Sequence, residues 1–461
     1  MAEIDPEITE DDPQDGYDLD NRLAPQVRLA MASGDRARLD ALLEPLHPAD
    51  IADLLEQIDT GPRRELLVLA ADIIDGDVLS EISEGVREEI IEFLPARVLS
   101  EAVRDLESDD VVDILEDLEE PQKEAILEAL DDADRVVVEQ SLAYPEESAG
   151  RLMQREVVMA PEHWDVGEAI DFLRASEDLP EQFYHMILVD PRMRPTGYVT
   201  LGRLLGSKRA VKLKDIREDS FRTIPVDQDE EEVAYAFNQY HLISAPVIDE
   251  NERLVGVITI DDAMFVLGEE AEEDILRLAG VQEGSLTDRV IATTKRRFPW
   301  LFVNLITAIL ASLVIAQFEM AIAQIVALAV LMPIVASMGG NAGTQSLTVA
   351  VRSIATKDLT GANVWRVIRR ECLVGLVNGV IFAVVMGVVG ILWFGSPALG
   401  AVIAAAMVIN LVVAGLAGTI IPVALERLGI DPALASGAFV TTVTDVVGFF
   451  AFLGLAAVVL L

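Results

Sequence analysis

Cysteine and histidine are scarce in this sequence, and their scarcity narrows the chemistry that the protein can perform. The single cysteine, Cys372, lies in an apolar run, so a framework of disulfides is excluded. The four histidines are scattered over the part of the chain before the long apolar runs, and we interpret them as ordinary surface or core residues: His47, His163, His185 and His241. With no cluster of soft ligands, any bound metal should be a hard cation held by oxygen atoms.

Basic residues are also scarce, with 35 Lys and Arg against 78 Asp and Glu and a net charge of −43. All of this imbalance lies before residue 298, because the remainder holds six residues of each sign. A soluble part so negative should repel nucleic acid and anionic lipid and attract cations, above all divalent ones. The alternative is that the acidity only keeps the protein soluble.

Long runs without any charge fill the chain after Lys295–Arg297, and a bilayer is crossed by about 20 such residues in a helix. The run after Glu371 is long enough for two spans, with FGSP at 394–397 as the turn between them. A fifth span begins near Pro432. We therefore predict a five-span α-helical transmembrane pore domain at 298–461. The charge-free runs are 298–318, 320–351 and 372–425.

The basic residues that border the spans all lie on one side of the membrane if the N-terminus is inside the cell. The first residues, MAEIDPEITEDD, lack the apolar core of a secretory signal peptide. We therefore expect a multi-pass protein of the cell inner (plasma) membrane, with a cytoplasmic N-terminus and an outside C-terminus. The bordering residues are Lys295, Arg296, Arg297, Arg352, Lys357, Arg366, Arg369, Arg370 and Arg427.

Differences in sequence pattern divide the soluble part into segments. Residues 1–20 are acidic with little to bury, which predicts a disordered tail. From 21 to 150 the pattern is that of short amphipathic helices, and DVLSEI at 77–82 recurs as RVLSEA at 97–102. A period near 20 residues predicts an all-α superhelical N-domain of stacked short helices.

Residues 151–275 contain a tandem repeat. MILVDPRMRPTGYVTLGRLL and APVIDENERLVGVITIDDAM each predict a strand, a turn, a second strand ending in Gly-x-x-Thr, and a helix. This α/β pattern resembles a pair of CBS domains, many of which bind adenosine nucleotides through an Asp three residues after the Thr. Thr259 and Asp262 match in the second copy, whereas Thr200 is followed by Arg203. ATP is therefore a candidate ligand that Arg203 disfavours in the first copy.

Residues 276–297 predict a helix that connects the CBS pair to the first span. The segment that contains it is acidic at its start and basic at its membrane end. Such a helix could transmit a movement of the soluble part to the spans. The alternative is an inert linker.

One carboxylate, Asp445, lies deep in the fifth span within GAFVTTVTDVVGFFAF. A charge at that depth costs about 2.5–3.5 kcal/mol on insertion scales, and no basic residue lies deep in any span to pair with it. Asp445 should therefore face a water-filled path, where a carboxylate binds cations. Gly437 and Thr441 precede it by two turns and one turn on the same face and supply further oxygens. The alternative is a protonated Asp used in helix packing.

A second unusual stretch is MPIVASMGGNAGTQS at 332–346 in the second span. Its glycines and Pro333 predict a weakened or kinked helix, and breaks in membrane helices survive where they line a cavity. Close packing of small residues between helices is the alternative. The neutral oxygens here are supplied by Asn341, Thr344, Gln345 and Ser346.

The order of these parts resembles the MgtE-type magnesium channels over nearly the whole chain. GGNAGTQS, TTVTDVVG, HPADIADLL at 47–55 and RLGIDPAL at 427–434 carry the resemblance. It implies a homodimer with the pore on the dimer axis, lined by the second and fifth spans. It further implies that Asp445 of both subunits holds a hydrated Mg²⁺, with Asn341 nearby.

The same resemblance implies that cytosolic Mg²⁺ closes the channel by binding between the N-domain, the CBS pair and the connecting helix. His241 and Phe265 stand where members of the family can carry acids. The implied regulatory ligands are Asp77, Asp109, Asp113, Asp229, Glu231, Asp262, Glu270, Glu273 and Asp274.

We therefore expect a Mg²⁺-selective channel for magnesium uptake, gated by Mg²⁺, which is not an enzyme and whose partners are a second copy, Mg²⁺ and the lipid bilayer. A CBS-regulated membrane sensor without ion conduction is the alternative. An intramembrane aspartyl protease would need two facing carboxylates, and each chain offers one. An anion channel is disfavoured by the same carboxylate.

Overall fold

A computed structural model describes residues 22–461 with gaps at 105, 117, 119, 177–178, 181, 219–220 and 282–289. The predicted disordered tail, 1–20, lies outside the described residues. The chain divides after Gly268 into two compact units, here called the first and the second unit.

The first unit begins with ten short helices around one continuous core. Their ends are set locally: Asp35 and Asp75 each accept a backbone N–H at a helix start, and His47 forms a capping box with Asp50. Leu54, Leu79 and other aliphatic side chains fill the core between them. The predicted helical N-domain is confirmed. The helices are α1 (Leu23–Ser33), α2 (Arg36–Leu43), α3 (Pro48–Gln57), α4 (Thr60–Leu69), α5 (Gly76–Glu81), α6 (Glu84–Phe93), α7 (Ala96–Arg104), α8 (Ser108–Glu116), α9 (Glu120–Leu127) and α10 (Asp132–Ser141).

The rest of the first unit is an internal repeat. Two three-stranded sheets have the same topology, in which the first pair of strands is parallel and the second is antiparallel. Both antiparallel pairs shift register at the equivalent place, after Leu188 and after Val247. The predicted tandem CBS repeat is therefore confirmed. Its elements are α11 (Ala149–Leu152), β1 (Met159–Pro161), α12 (Val166–Ala175), β2 (His185–Val189), β3 (Pro195–Thr200), α13 (Leu201–Gly206), β4 (Ile224–Pro225), α14 (Glu230–Tyr240), β5 (Ser244–Ile248), β6 (Leu254–Thr259) and α15 (Ile260–Leu278).

The second unit is a bundle of long apolar helices. Five described stretches are long and apolar enough to cross a membrane, in agreement with the predicted number: Thr293–Ala316, Ala327–Ala355, Val364–Phe394, Pro397–Arg427 and Gly437–Leu460. They belong to α16 (Val290–Ala316), α18 (Ala327–Ala355), α19 (Val364–Phe394), α20 (Pro397–Arg427) and α21 (Pro432–Leu460), and a short helix, α17 (Glu319–Gln324), precedes α18.

Helix α20 lies at the centre of this bundle and packs against α18, α19 and α21. Its inner face is buried, with Ile403, Met407 and Leu411 in the core. The predicted FGSP turn joins α19 to α20, since Gly395 ends α19 in the left-handed conformation and the Ser396 hydroxyl accepts the N–H of Leu399.

The predicted connecting helix can be compared with the structure only in part. Helix α15 runs on past the CBS pair to Leu278, and α16 begins at Val290 and continues unbroken into the first span. Residues 282–289 lie outside the described residues, so a single helix over 276–297 stays a prediction.

Close approach of helices in the bundle depends on glycine. A methyl group at Gly418 of α20 would lie 2.6 Å from the carbonyl oxygen of Gly343 in α18, and backbone cannot yield as a flexible side chain does. We expect Gly418→Ala to lower the free energy of unfolding by about 1–3 kcal/mol, the usual range for overpacking. Thermal unfolding of the full chain in mild detergent measures this.

Gly340→Ala is the matched control, because a methyl group there would meet nothing within 4 Å. Equal melting temperatures for the two variants would contradict the packing described for α18 and α20.

Candidate functional site

Asp445 lies in the middle of α21 and is half-buried in the single chain. Among the residues that the structure describes, its carboxylate has no ion pair and no hydrogen bond. One turn earlier, the exposed Thr441 donates its hydroxyl proton to the carbonyl oxygen of Gly437 at 2.9 Å. The hydroxyl oxygen of Thr441 is thereby turned into an acceptor on the face that carries Asp445.

Helix α18 carries a polar exposed stripe of its own. Ser337, Asn341, Thr344 and Thr348 recur at spacings of four and three residues and are all exposed. Thr344 and Thr348 each donate to a carbonyl one turn back, at 3.0 Å, and the Asn341 amide lies 3.4 Å from the Ser337 hydroxyl. Sequence reasoning found Asn341 and Thr344 but missed Ser337 and Thr348, which the helical spacing of polar residues could have revealed.

Helix α18, which the sequence predicts to be weakened or kinked, is continuous from Ala327 to Ala355 and contains Pro333. Its glycines serve packing instead: a methyl at Gly343 would lie 2.6 Å from Val440 of α21, and one at Gly339 would overlap the side chain of Asn410. The alternative interpretation, small residues between closely packed helices, is the right one for these positions. Ser346, expected to supply an oxygen, is buried and donates to the Glu371 carboxylate at 3.1 Å.

Asn410 of α20 was not found by sequence reasoning. It is fully buried and donates its amide N–H to the carbonyl oxygen of Val335 at 2.8 Å. The side chain also packs against Gly339 of α18 and Gly448 of α21. Both helices that carry polar faces are therefore held by one polar side chain of the central helix.

The predicted regulatory acids of the first unit fall in two places. Asp77, Asp109, Asp113 and Asp262 lie on or beside a cluster formed by α8 and the start of α15, which Glu107 and Asp110 extend. The other place is the start of α14, where Asp229 accepts the backbone N–H groups of Glu231 and Glu232. Sequence reasoning missed Glu107 and Asp110 as members.

The acids of the α8 cluster repel one another. Burial raises the pKa of Glu107 to about 7, and repulsion from Glu156 and Asp262 adds to the effect. Burial and the charge of Asp262 raise the pKa of Asp110 to about 7 as well, and they hold that of Asp109 well above its usual range. Burial and mutual repulsion thus both disfavour the charged forms of these carboxyls.

Several members of the cluster have local partners, among them Glu107, which accepts a hydrogen bond from the Gln154 amide at 2.6 Å. Burial raises the pKa of Asp262 to about 6, although Thr259 donates its hydroxyl proton at 2.6 Å and favours the charged form. Asp113 pairs with Arg87 at 2.6 Å. Within the described ranges, no three His, Cys, Asp or Glu side chains converge as a preformed metal site. The cluster fits an ion that keeps most of its water, which is the way proteins usually hold Mg²⁺.

The predicted acids of the second unit lie at the end of α15: Glu270, Glu273 and Asp274. Glu273 forms an ion pair with Arg277, which also pairs at 3.0 Å with Asp431, the N-cap of α21. Burial and the charge of Asp431 raise the pKa of Asp274. Leu278 at the end of α15 packs against a cluster that α18 and α21 form together, composed of Leu347, Val351, Ala433 and Val440.

A small cavity lies between the two copies of the CBS repeat. This cavity of about 20 Å³ lies beside His185, Ser244 and Thr259, which is space for about one water molecule. In the first copy, Arg203 pairs with Glu218 at 3.2 Å.

These features define a multi-pass membrane protein whose chain also carries an acidic helical domain and a CBS pair. Family profiles match each part: the profile of the divalent cation transporter MgtE covers 332–455, that of the MgtE intracellular N domain covers 46–147, and that of the CBS domain covers 149–209 and 213–269.

Relatives that match nearly the whole chain carry the same family name. The magnesium transporter MgtE of Thermus thermophilus is 33% identical over 448 residues, which is 96% of this chain and 99% of that protein. That of Bacillus subtilis is 30% identical over 94% of this chain and 96% of its own. A crystal structure of the cytosolic domain of the Mg²⁺ channel MgtE in complex with ATP is 31% identical and covers 53% of this chain and 99% of its own, with a TM-score of 0.49. The two relatives that match nearly the whole chain show that it belongs to the MgtE family.

The raised pKa values in the α8 cluster predict a pH dependence. These carboxyls bind protons more readily in the folded protein than in the unfolded chain, so protonation adds to the free energy of unfolding at low pH. This stabilisation is lost as the pH rises through about 6 to 7, the pKa values of the folded state. When a chelator removes divalent cations, the N-domain and CBS pair should therefore be better protected from proteases at pH 5.5 than at pH 8. Asp110→Asn should weaken the dependence, and Mg²⁺ should restore protection at pH 8.

Asp134→Asn removes an exposed acid and is the control. A pH dependence that is the same in the parent and in Asp110→Asn would show that the cluster is not its origin.

Proposed function

We propose that the protein is a Mg²⁺-selective cation channel for magnesium uptake that closes when cytosolic Mg²⁺ binds to its acidic surfaces. The observation that carries the proposal is Asp445, a partly exposed carboxylate on a membrane helix that has no partner among the described residues. Membership of the MgtE family and relatives named as magnesium transporters support the substrate.

The same face supports the proposal of a homodimer. Polar side chains line the exposed sides of α18 and α21, and hydrocarbon is an unfavourable neighbour for them. A second copy related by a two-fold axis would cover both stripes and enclose a path for water. The axis would also place two Asp445 carboxylates around one ion, which suits a divalent cation better than one carboxylate does.

In this proposal the ion passes largely hydrated. Gly437 already accepts a hydrogen bond from the Thr441 hydroxyl, so its carbonyl is a weak direct ligand. Asp445 would hold the ion through its water shell, and the oxygens of Thr441 and Asn341 would accept hydrogen bonds from that shell. Mg²⁺ gives up its water reluctantly, so such a site selects charge and the size of the hydrated ion.

The gate is proposed at the end of α15. Through Arg277 this helix is tied to Asp431 at the start of α21, and through Leu278 it packs on the two helices with polar faces. A movement of α15 would therefore reach α21 directly. Mg²⁺ bound among the acids of the N-domain, the CBS pair and α15 would remove their repulsion and hold α15 in the closed position.

We expect Asp445→Ala to abolish Mg²⁺ uptake by liposomes that contain the protein. Asp445→Asn should lower the flux roughly tenfold or more, because a contact to a charged group contributes about 1.5–3 kcal/mol and an amide keeps only the size. Flux is measured with a Mg²⁺-sensitive dye inside the vesicles.

Asp358→Asn, which removes an exposed acid outside the spans, is the control for the loss of charge. Uptake by Asp445→Asn equal to that of the parent would refute the pore site. No uptake by the parent itself would favour the alternative, a CBS-regulated membrane sensor without conduction.

Closure by Mg²⁺ should depend on the acids of both units. The test variant changes Asp109, Asp113, Glu273 and Asp274 to the corresponding amides. It should need an internal Mg²⁺ concentration about tenfold or more higher than the parent to stop the flux, because each weak site contributes to one coupling free energy. Flux is measured into liposomes with varied internal Mg²⁺.

The matched control changes four exposed acids elsewhere, Glu44, Asp132, Asp134 and Glu250, to amides. If both quadruple variants close at the concentration found for the parent, the acidity serves solubility only.

A further inference from the structure

A shallow basic cavity lies along one face of α19 near its start; its volume is about 440 Å³, and all of its lining residues belong to this one helix. Three arginines form one end, and apolar side chains of the next two turns line the other. The arginines are Arg366, Arg369 and Arg370, and the apolar residues are Leu373, Val374 and Val377.

The positive charge of this cavity is uncompensated. Within the part of the chain that the structure describes, none of the three guanidinium groups has a carboxylate partner. The neighbouring acid, Glu371, is buried on another side of α19, where it accepts the hydroxyl proton of Ser346. Like charges three and four residues apart on a helix repel each other, so an anion at this place would relieve the repulsion.

The other end of the cavity is apolar and exposed. Leu373, Val374 and Val377 expose 52%, 44% and 58% of their surfaces in the chain, and they lie inside a stretch that is apolar enough to cross a membrane. Arg366 and Val377 are separated by roughly 16 Å along the helix axis, at 1.5 Å per residue. The cavity therefore extends from the level of lipid head groups into the hydrocarbon.

We propose that this cavity is a binding site for an anionic phospholipid. The guanidinium groups would hold the phosphate and the head group, for which arginine has the matching planar geometry, and an acyl chain would lie along Leu373, Val374 and Val377. A free phosphate or nucleotide would leave the apolar half uncovered, and a zwitterionic lipid would leave the positive charge unbalanced. The site is independent of the proposed channel activity.

Native mass spectrometry of the full chain, released from nanodiscs of mixed phosphatidylglycerol and phosphatidylcholine, tests the site. The parent should retain phosphatidylglycerol in preference to phosphatidylcholine. The triple variant Arg366→Gln, Arg369→Gln, Arg370→Gln should lose roughly 100-fold in relative affinity, since each basic side chain near an anionic surface contributes about fivefold. Inorganic phosphate at millimolar concentration should not displace the retained lipid.

The matched control is Lys295→Gln, Arg296→Gln, Arg297→Gln, which removes the same charge at the start of the first span. This control should keep the retained lipid. Equal loss in both triple variants, or none in the first, would overturn the proposal, as would displacement by phosphate alone.

A second variant guards against a folding defect in the first. Val377→Trp keeps the arginines and fills the apolar half, so it should lower lipid retention several-fold while leaving the melting temperature unchanged. Full retention in Val377→Trp would show that no acyl chain occupies the cavity, and the proposal would fail.

Discussion

A carboxylate on a membrane helix is stable only where it meets water, an ion or another polar group, and Asp445 imposes this condition on α21. Its surroundings in the single chain supply no partner among the described residues. The polar stripe of α18, which contains Asn341, is exposed in the same way. Both faces require an environment that lipid cannot provide, and the proposed second copy around a hydrated ion would provide it.

These polar faces can stay exposed because the opposite faces of the same helices are tightly packed. Gly339 and Gly448 leave room for the side chain of Asn410, and Gly343 lies against Val440. Asn410 donates to a carbonyl of α18, so the central helix holds its two neighbours by shape and by one hydrogen bond. Glycine is therefore used here for close approach rather than for breaking the helix.

The acids of the first unit are subject to a similar electrostatic constraint. Glu107, Asp109 and Asp110 are gathered at the start of α8, close to Asp262 of the CBS pair, and their pKa values rise because burial and mutual repulsion disfavour the charged forms. A proton or a hydrated divalent cation can relieve this repulsion. Asp445 and the soluble cluster thus have one property in common, buried or partly buried carboxylates that the basic side chains of the described residues do not fully neutralise.

The sequence by itself determined the parts of the protein and their order. Charge-free runs, the repeated strand patterns and the lone Asp445 are local or periodic signals, and local chemistry is enough to place spans, CBS domains and a carboxylate within a span. Only the tertiary structure decided which small and polar residues face each other. Gly339 and Gly343 pack instead of breaking α18, Asn410 reaches Val335, and Ser346 meets Glu371, because such contacts join helices that are distant in sequence and leave no periodic trace.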